Sequence, residues 1–208
     1  MDGGNAVEYV LDNNIEGALV ECGCGNGHYE VSWIEKLKER NEVRQIYMYD
    51  TFAGLTEPSE KDYTVADTVL PPMTEEEVRN WWLEAKISET ENKICLFPLN
   101  ETQARLSTLG YGDENLHYVV GDVRQTLLDV ANLPEKIAVL RLDTDWYDST
   151  KIELEALFPR VSSGGVVIFD DYNHWNGQRE ATNEYFASRQ ETYTHMPIDA
   201  RRTAIIKN

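Results

Sequence analysis

The amino-acid sequence predicts an α/β fold: a seven-stranded, mostly parallel sheet with helices on both faces and an antiparallel hairpin at the C-terminal end. Two observations carry this. Apolar runs at 18–22, 45–50, 116–121, 137–143 and 165–170 are short and nearly continuous, as in parallel strands covered on both sides, with helical patterns in the intervals. The last two runs, 192–198 and 202–207, are separated only by Asp199, Ala200 and Arg201, too little chain for a parallel crossover. No repeat or low-complexity linker breaks the pattern, so 1–208 reads as one domain.

Composition narrows the function before any motif does. The 208 residues are 41% hydrophobic, enough for a buried core and too much for disorder. Lys+Arg 19 against Asp+Glu 37 gives a net charge of −18. That balance argues against nucleic acid, whose phosphates need a basic face, and against anionic membrane surfaces. Three cysteines, Cys22, Cys24 and Cys95, lack the density of a disulfide scaffold and suggest a reduced, cytoplasmic setting. The first five residues carry neither a basic region nor an apolar run, so no signal peptide is expected.

The first strand runs into Glu21-Cys22-Gly23-Cys24-Gly25-Asn26-Gly27, and a helix follows over 30–40 with Val31, Ile34 and Leu37 on one side. Strand, glycine loop and helix form a nucleotide cradle, although a merely tight turn reads the same way. The spacing discriminates. A dinucleotide fingerprint is G-x-G-x-x-G, whereas E-x-G-x-G-x-G is the methyltransferase form. Its cofactor presents an ammonium, which Glu21 can attract, rather than a pyrophosphate. Asp50 ends the second strand, where an acid accepts bonds from ribose hydroxyls. Asp122, after the third strand, is placed to receive an adenine amine or to cap a helix.

Residues 57–100 form a connection far longer than one helix needs. Within it Thr74 and Glu77 make a capping box, and Val78, Trp81, Trp82 and Ala85 fall on one helical stripe. This segment is either a surface helix packed on the sheet or a lid over the strand ends.

The most informative stretch is 140–150, L-R-L-D-T-D-W-Y-D-S-T, followed by Asp170-Asp171 after the next strand. Asp143 and Asp170 end consecutive strands and therefore share one rim of the sheet. Bunched carboxylates repel unless they ionise apart or hold a cation, and an all-oxygen set suits Mg²⁺. Asp148, Ser149 and Thr150 look like helix caps, with Glu153 completing a box. Arg141, mid-strand, needs an acid partner if buried. Trp146 and Tyr147 suit a sugar platform or core packing, and His174 and Trp175 suit substrate lining or loop packing.

Together with S-G-G-V-V-I-F-D-D-Y at 163–172 and Y-D-T-F-A-G-L at 49–55, that stretch resembles the TylF-type macrocin O-methyltransferase family. Residues 57–100 align poorly with it, and Thr144 stands where the family signature has glycine. The resemblance implies a Rossmann-like class I methyltransferase using S-adenosylmethionine and Mg²⁺. It implies Asp143, Asp170 and Asp171 as metal ligands and Asp145 as general base. It implies Glu21, Gly23, Gly25, Asp50 and Asp122 as cofactor contacts. The expected acceptor is a small molecule with a sugar or diol hydroxyl, such as a glycoside, and the expected assembly is a homodimer. Two alternatives stand beside it: an NAD-dependent oxidoreductase, which the glycine spacing and the hairpin oppose, and a module of this fold that binds cofactor or metal without catalysis.

Overall fold

Residues 3–65, 71–187, 189 and 193–208 are described by the structure, a computed structural model. The sheet has seven strands in the order β3-β2-β1-β4-β5-β7-β6. They are β1 (Ala18–Cys22), β2 (Ile46–Asp50), β3 (Leu116–Val120), β4 (Ile137–Leu142), β5 (Val161–Phe169), β6 (Tyr193–Pro197) and β7 (Thr203–Lys207). The first five are parallel, while β7 runs antiparallel to β5 and β6. The predicted hairpin is present; Thr192, the expected start of its first strand, lies outside the described residues.

Neighbouring residues on each central strand enter opposite layers, which is why the runs read as continuously apolar. Leu19, Met48, Val139 and Val166 join one core with Trp33, Ile34 and Leu37 of α2 (His28–Glu39). Val20, Tyr49, Leu140 and Val167 join the other. That layer includes Leu154 and Leu157 of α6 (Tyr147–Leu157) and Tyr185 and Phe186 of α7 (Asn176–Ala187). α1 (Gly3–Asp12) adds Ala6, Val7 and Val10 to the first. β5 begins four residues before the expected run. Its register against β4 jumps from Ile137↔Val161 to Val139↔Val166, so 162–165 are accommodated as an irregularity rather than a loop.

α3 (Glu75–Glu84) has the predicted capping box: Glu77 N donates to Thr74 Oγ1 at 3.3 Å and Thr74 N to Glu77 Oε2 at 2.8 Å. Its apolar stripe packs on neither face of the sheet. Val78 is buried against Trp146 and Trp175, from the loops that leave β4 and β5, with Leu55, Met73 and Trp81 alongside. α4 (Leu99–Ser107) then leads back toward β3. Two buried polar residues fasten this connection. Asn92 Nδ2 donates to the Trp82 carbonyl at 2.9 Å and its Oδ1 accepts from Ile94 N at 2.9 Å. Asp62 accepts from Tyr147 N at 2.8 Å and from Ser59 N and Oγ, both at 2.7 Å.

The Asp62 bond corrects one expectation. α6 starts at Tyr147, so Asp148, Ser149 and Thr150 sit inside its first turn and do not cap it. A carboxylate from distant chain caps it instead. Gly177, at the start of α7, meets the same junction, where a Cβ would collide with Asp62 Oδ1. Among the described residues no helix is long and apolar enough to cross a membrane.

Candidate active site

A cavity of about 360 Å³ lies over the carboxyl ends of the parallel strands. The glycine loop, Asp50, residues 121–123 and 143–145, and Asp171 line it, with Leu55, Thr56, Cys95 and Phe97 from the long connection. This is where open α/β sheets bind ligands.

The glycine loop is built by close approach. Gly23 (φ 83) lies so near the strand end that a Cβ there would strike the Asp143 carbonyl. Gly25 N donates to Asp50 Oδ2 at 2.8 Å, and Phe52 N donates to Asp50 Oδ1 at 2.8 Å. Asp50 thus ties the loop to β2, with lone pairs still directed to the cavity it lines. Burial pushes its carboxyl up, and these backbone bonds draw it partly back. Thr102 Oγ1, on α4, holds the Gly25 carbonyl at 2.9 Å.

Glu21 is buried and ion-pairs with Arg141, itself 3% exposed. Glu30 of α2, fully buried, shares the pocket. Burial first, then Glu30, pushes the Glu21 carboxyl well above its usual range, against the pull of Arg141. An arriving ammonium would meet Glu21, which lines the cavity with Glu30 behind it, and this fits the cofactor implied by the glycine spacing. Asp122 caps α5 (Val123–Thr126) through Arg124 N at 2.9 Å, and the Arg124 side chain grips both its oxygens.

Arg141 is the hub that mid-strand reasoning only half anticipated. Nη1 reaches Glu21 and, at 2.8 Å, Asp143 Oδ2; Nη2 reaches Asp170 Oδ1 at 2.6 Å; the guanidinium lies 3.6 Å over the Tyr29 ring. Asp170 is therefore turned toward Arg141. Asp143, Asp145 and Asp171 instead converge, each offering an oxygen within 4.8 Å of the others. Burial raises all three carboxyls; the neighbouring acids add to this at Asp145, while Arg141 draws Asp143 partly back and the bond with Asp145 draws Asp171 back. Oxygens ~2.1 Å from an octahedral Mg²⁺ span up to ~4.2 Å, so a slight contraction of this set would fit one.

Asp145 has φ 69, a left-handed backbone that non-glycine residues seldom adopt. Gln178, wholly buried, steadies the opposite side: its Oε1 accepts from Asp171 N at 2.8 Å and its Nε2 donates to the Leu142 carbonyl at 3.2 Å. Nothing in the local sequence marks Gln178, Asn92 or Asp62 as anchors. Trp146 and Tyr147 are buried outside the cavity lining. Trp146 Nε1 donates to the Thr56 carbonyl at 2.8 Å, so that ring packs rather than forming an open platform. His174 and Trp175 are also buried and lie edge to face, 4.8 Å between centroids.

Residues 3–205 match the family model for macrocin-O-methyltransferase (TylF). The chain belongs to the macrocin-O-methyltransferase (TylF) family. Among its relatives is the Streptomyces olivaceus 8-demethyl-8-(2,3-dimethoxy-alpha-L-rhamnosyl)-tetracenomycin-C 4'-O-methyltransferase, 29% identical over 86% of this chain and 61% of that protein. Another is the Streptomyces niveus demethyldecarbamoylnovobiocin O-methyltransferase, 30% identical over 87% of this chain and 62% of that protein. The chain spans about three-fifths of the length of these curated relatives. The solved structure of the O-methyltransferase NovP superposes with a TM-score of 0.81 at 26% identity, over 99% of this chain and 78% of that one. The sheet order and hairpin are thus those of the TylF family, and the fold is the expected Rossmann-like class I methyltransferase fold.

Proposed function

We propose that this chain is an S-adenosylmethionine- and Mg²⁺-dependent O-methyltransferase acting on a hydroxyl of a sugar or other small diol-bearing acceptor. The observation that carries it is the meeting of Asp143, Asp145 and Asp171 in the cavity that the glycine loop and Asp50 also line. The glycine spacing at 23, 25 and 27 and the antiparallel hairpin, rather than the acid cluster, weigh against an NAD-dependent oxidoreductase. Relatives named as O-methyltransferases, one of them for a rhamnosyl-tetracenomycin, support the acceptor class.

A sulfonium methyl is already electrophilic, and the neutral hydroxyl is the weak partner. Bound Mg²⁺ would supply Lewis acidity and a fixed position for the acceptor oxygen. Asp143 and Asp171 would hold the cation. Asp145, beside them, would take the hydroxyl proton as the carbon–oxygen bond forms. Asp50 would hold the ribose, and Glu21 with Glu30 would draw the ammonium, which fixes the methyl for in-line transfer. Asp170 would act one step back, by fixing Arg141. The three free thiols suit the cytoplasm, where we place the enzyme. The connection over 57–100 would serve as the lid, through Cys95 and Phe97.

The test is transfer of labelled methyl from S-adenosylmethionine to a panel of rhamnosides and other glycosides, with and without Mg²⁺. Metal-dependent labelling of at least one glycoside is expected. Binding of NAD in preference to S-adenosylhomocysteine would overturn the reading.

A further inference from the structure

Behind Thr144 of the cavity lining sits a carboxyl that the scheme above leaves idle. Glu153 lies on α6, wholly buried, and among the described residues no cation pairs with it. Its Oε1 accepts from Thr144 Oγ1 at 2.7 Å; its Oε2 is buried without a hydrogen-bond partner. Burial pushes this acid up to about 8. An apolar side chain would fill such a place at lower cost, so what Glu153 contributes lies in the one strong bond it makes.

That bond ends between the two acids of the outgoing turn. Thr144 separates Asp143 from Asp145 and lines the cavity. The family signature quoted above has glycine there, which offers no side chain to hold. In this chain the turn is fixed three times over at Thr144. Besides the Glu153 bond, the Thr144 carbonyl accepts from Trp146 N at 2.8 Å and from Ser149 Oγ at 3.3 Å. The next residue, Asp145, has a left-handed backbone, which aspartate tolerates better than most residues but which still favours a turn held from outside.

We propose that Glu153 is a positioning residue that acts through the Thr144 hydroxyl to hold the 143–145 turn, and so keeps the Asp145 and Asp143 carboxylates gathered with Asp171. Without that bond the turn relaxes toward ordinary backbone angles and carries the Asp145 oxygen out of the cluster. This inference rests on the cation site proposed above and concerns how this chain builds it.

The experiment titrates Mn²⁺ into the full chain saturated with S-adenosylhomocysteine, by calorimetry and by electron paramagnetic resonance, for wild type, T144V, T144S, E153A and E153Q. T144V removes only the hydroxyl from a side chain of equal size. T144V and E153A should weaken Mn²⁺ at least tenfold and broaden its spectrum. T144S and E153Q keep donor and acceptor and should stay within about twofold of wild type. S-adenosylhomocysteine affinity should hold within about twofold for T144V. Hydrogen exchange gives a second readout without metal: the Trp146 amide should lose protection at least tenfold in T144V, while the Gly25 amide keeps its own. Unchanged Mn²⁺ affinity and unchanged Trp146 protection in T144V would overturn the positioning role. If wild type takes up no Mn²⁺, the cation reading fails instead, and Trp146 exchange alone decides this one.

Discussion

The two halves of the cavity handle acid in opposite ways. On the β1–β2 side, Asp50 is met by two backbone N–H groups and Gly23 presses against its neighbour with no side chain between them. On the β4–β5 side, one buried guanidinium serves Glu21, Asp143 and Asp170, while Asp145 and Asp171 face Asp143 and each other. The first half is complete within the chain. The second gathers more carboxyls than its one guanidinium can serve, and under the proposed function a cation would complete it.

The sharpest way to break that contrast is Asp145→Asn. Methyl transfer should slow by ~10²–10⁴-fold, the usual worth of a positioned base, while S-adenosylhomocysteine binds as before; rates at saturating Mg²⁺ check it. Next, Asp171→Asn and Asp170→Asn should part company. Loss of Asp171 should weaken Mn²⁺ by about 100-fold, roughly 2.8 kcal/mol at 1.4 kcal/mol per tenfold. Loss of Asp170 should cost several times less in Mn²⁺ affinity, since it touches Arg141. Equal losses measured by calorimetry would restore Asp170 to the metal set that the resemblance implies.

On the other half, Asp50→Ala should weaken S-adenosylhomocysteine by about 1.5–3 kcal/mol, the range for hydrogen bonds to a charged group, and leave Mn²⁺ nearly untouched. A further effect is one of stability. Glu153 titrates near 8 when folded against an ordinary value of 4.5. A carboxyl raised in this way stabilises the fold most at low pH, and that contribution fades as pH rises through about 8. Melting temperature should therefore fall between about pH 5 and pH 8, and Glu153→Gln should flatten part of that slope.

The same contrast explains what could be read from the sequence. Strands, glycine loop, hairpin and the Thr74 capping box are local: each follows from a run or a spacing within some ten residues. Glu21, Asp50, Asp143, Asp145 and Asp171 all reach the cavity because strand ends in a parallel sheet share a rim. The direction each carboxylate takes is not local. Asp170 follows its strand as plainly as Asp143 does, yet Arg141 claims it. α3 carries a periodic stripe that a sheet would accept, but the surface it finds is Trp146 and Trp175, tryptophans from two other loops. Asp148, Ser149 and Thr150 had the composition of caps, and Asp62, 85 residues upstream of Tyr147, took the place. Such pairings are set by the assembled fold.

Asp62, Tyr147 and Gly177 meet at a point with no room for a further methyl group. Three chain segments that differ in what they do are clasped there like the rivet of a fan. Change at the rivet therefore moves every blade at once.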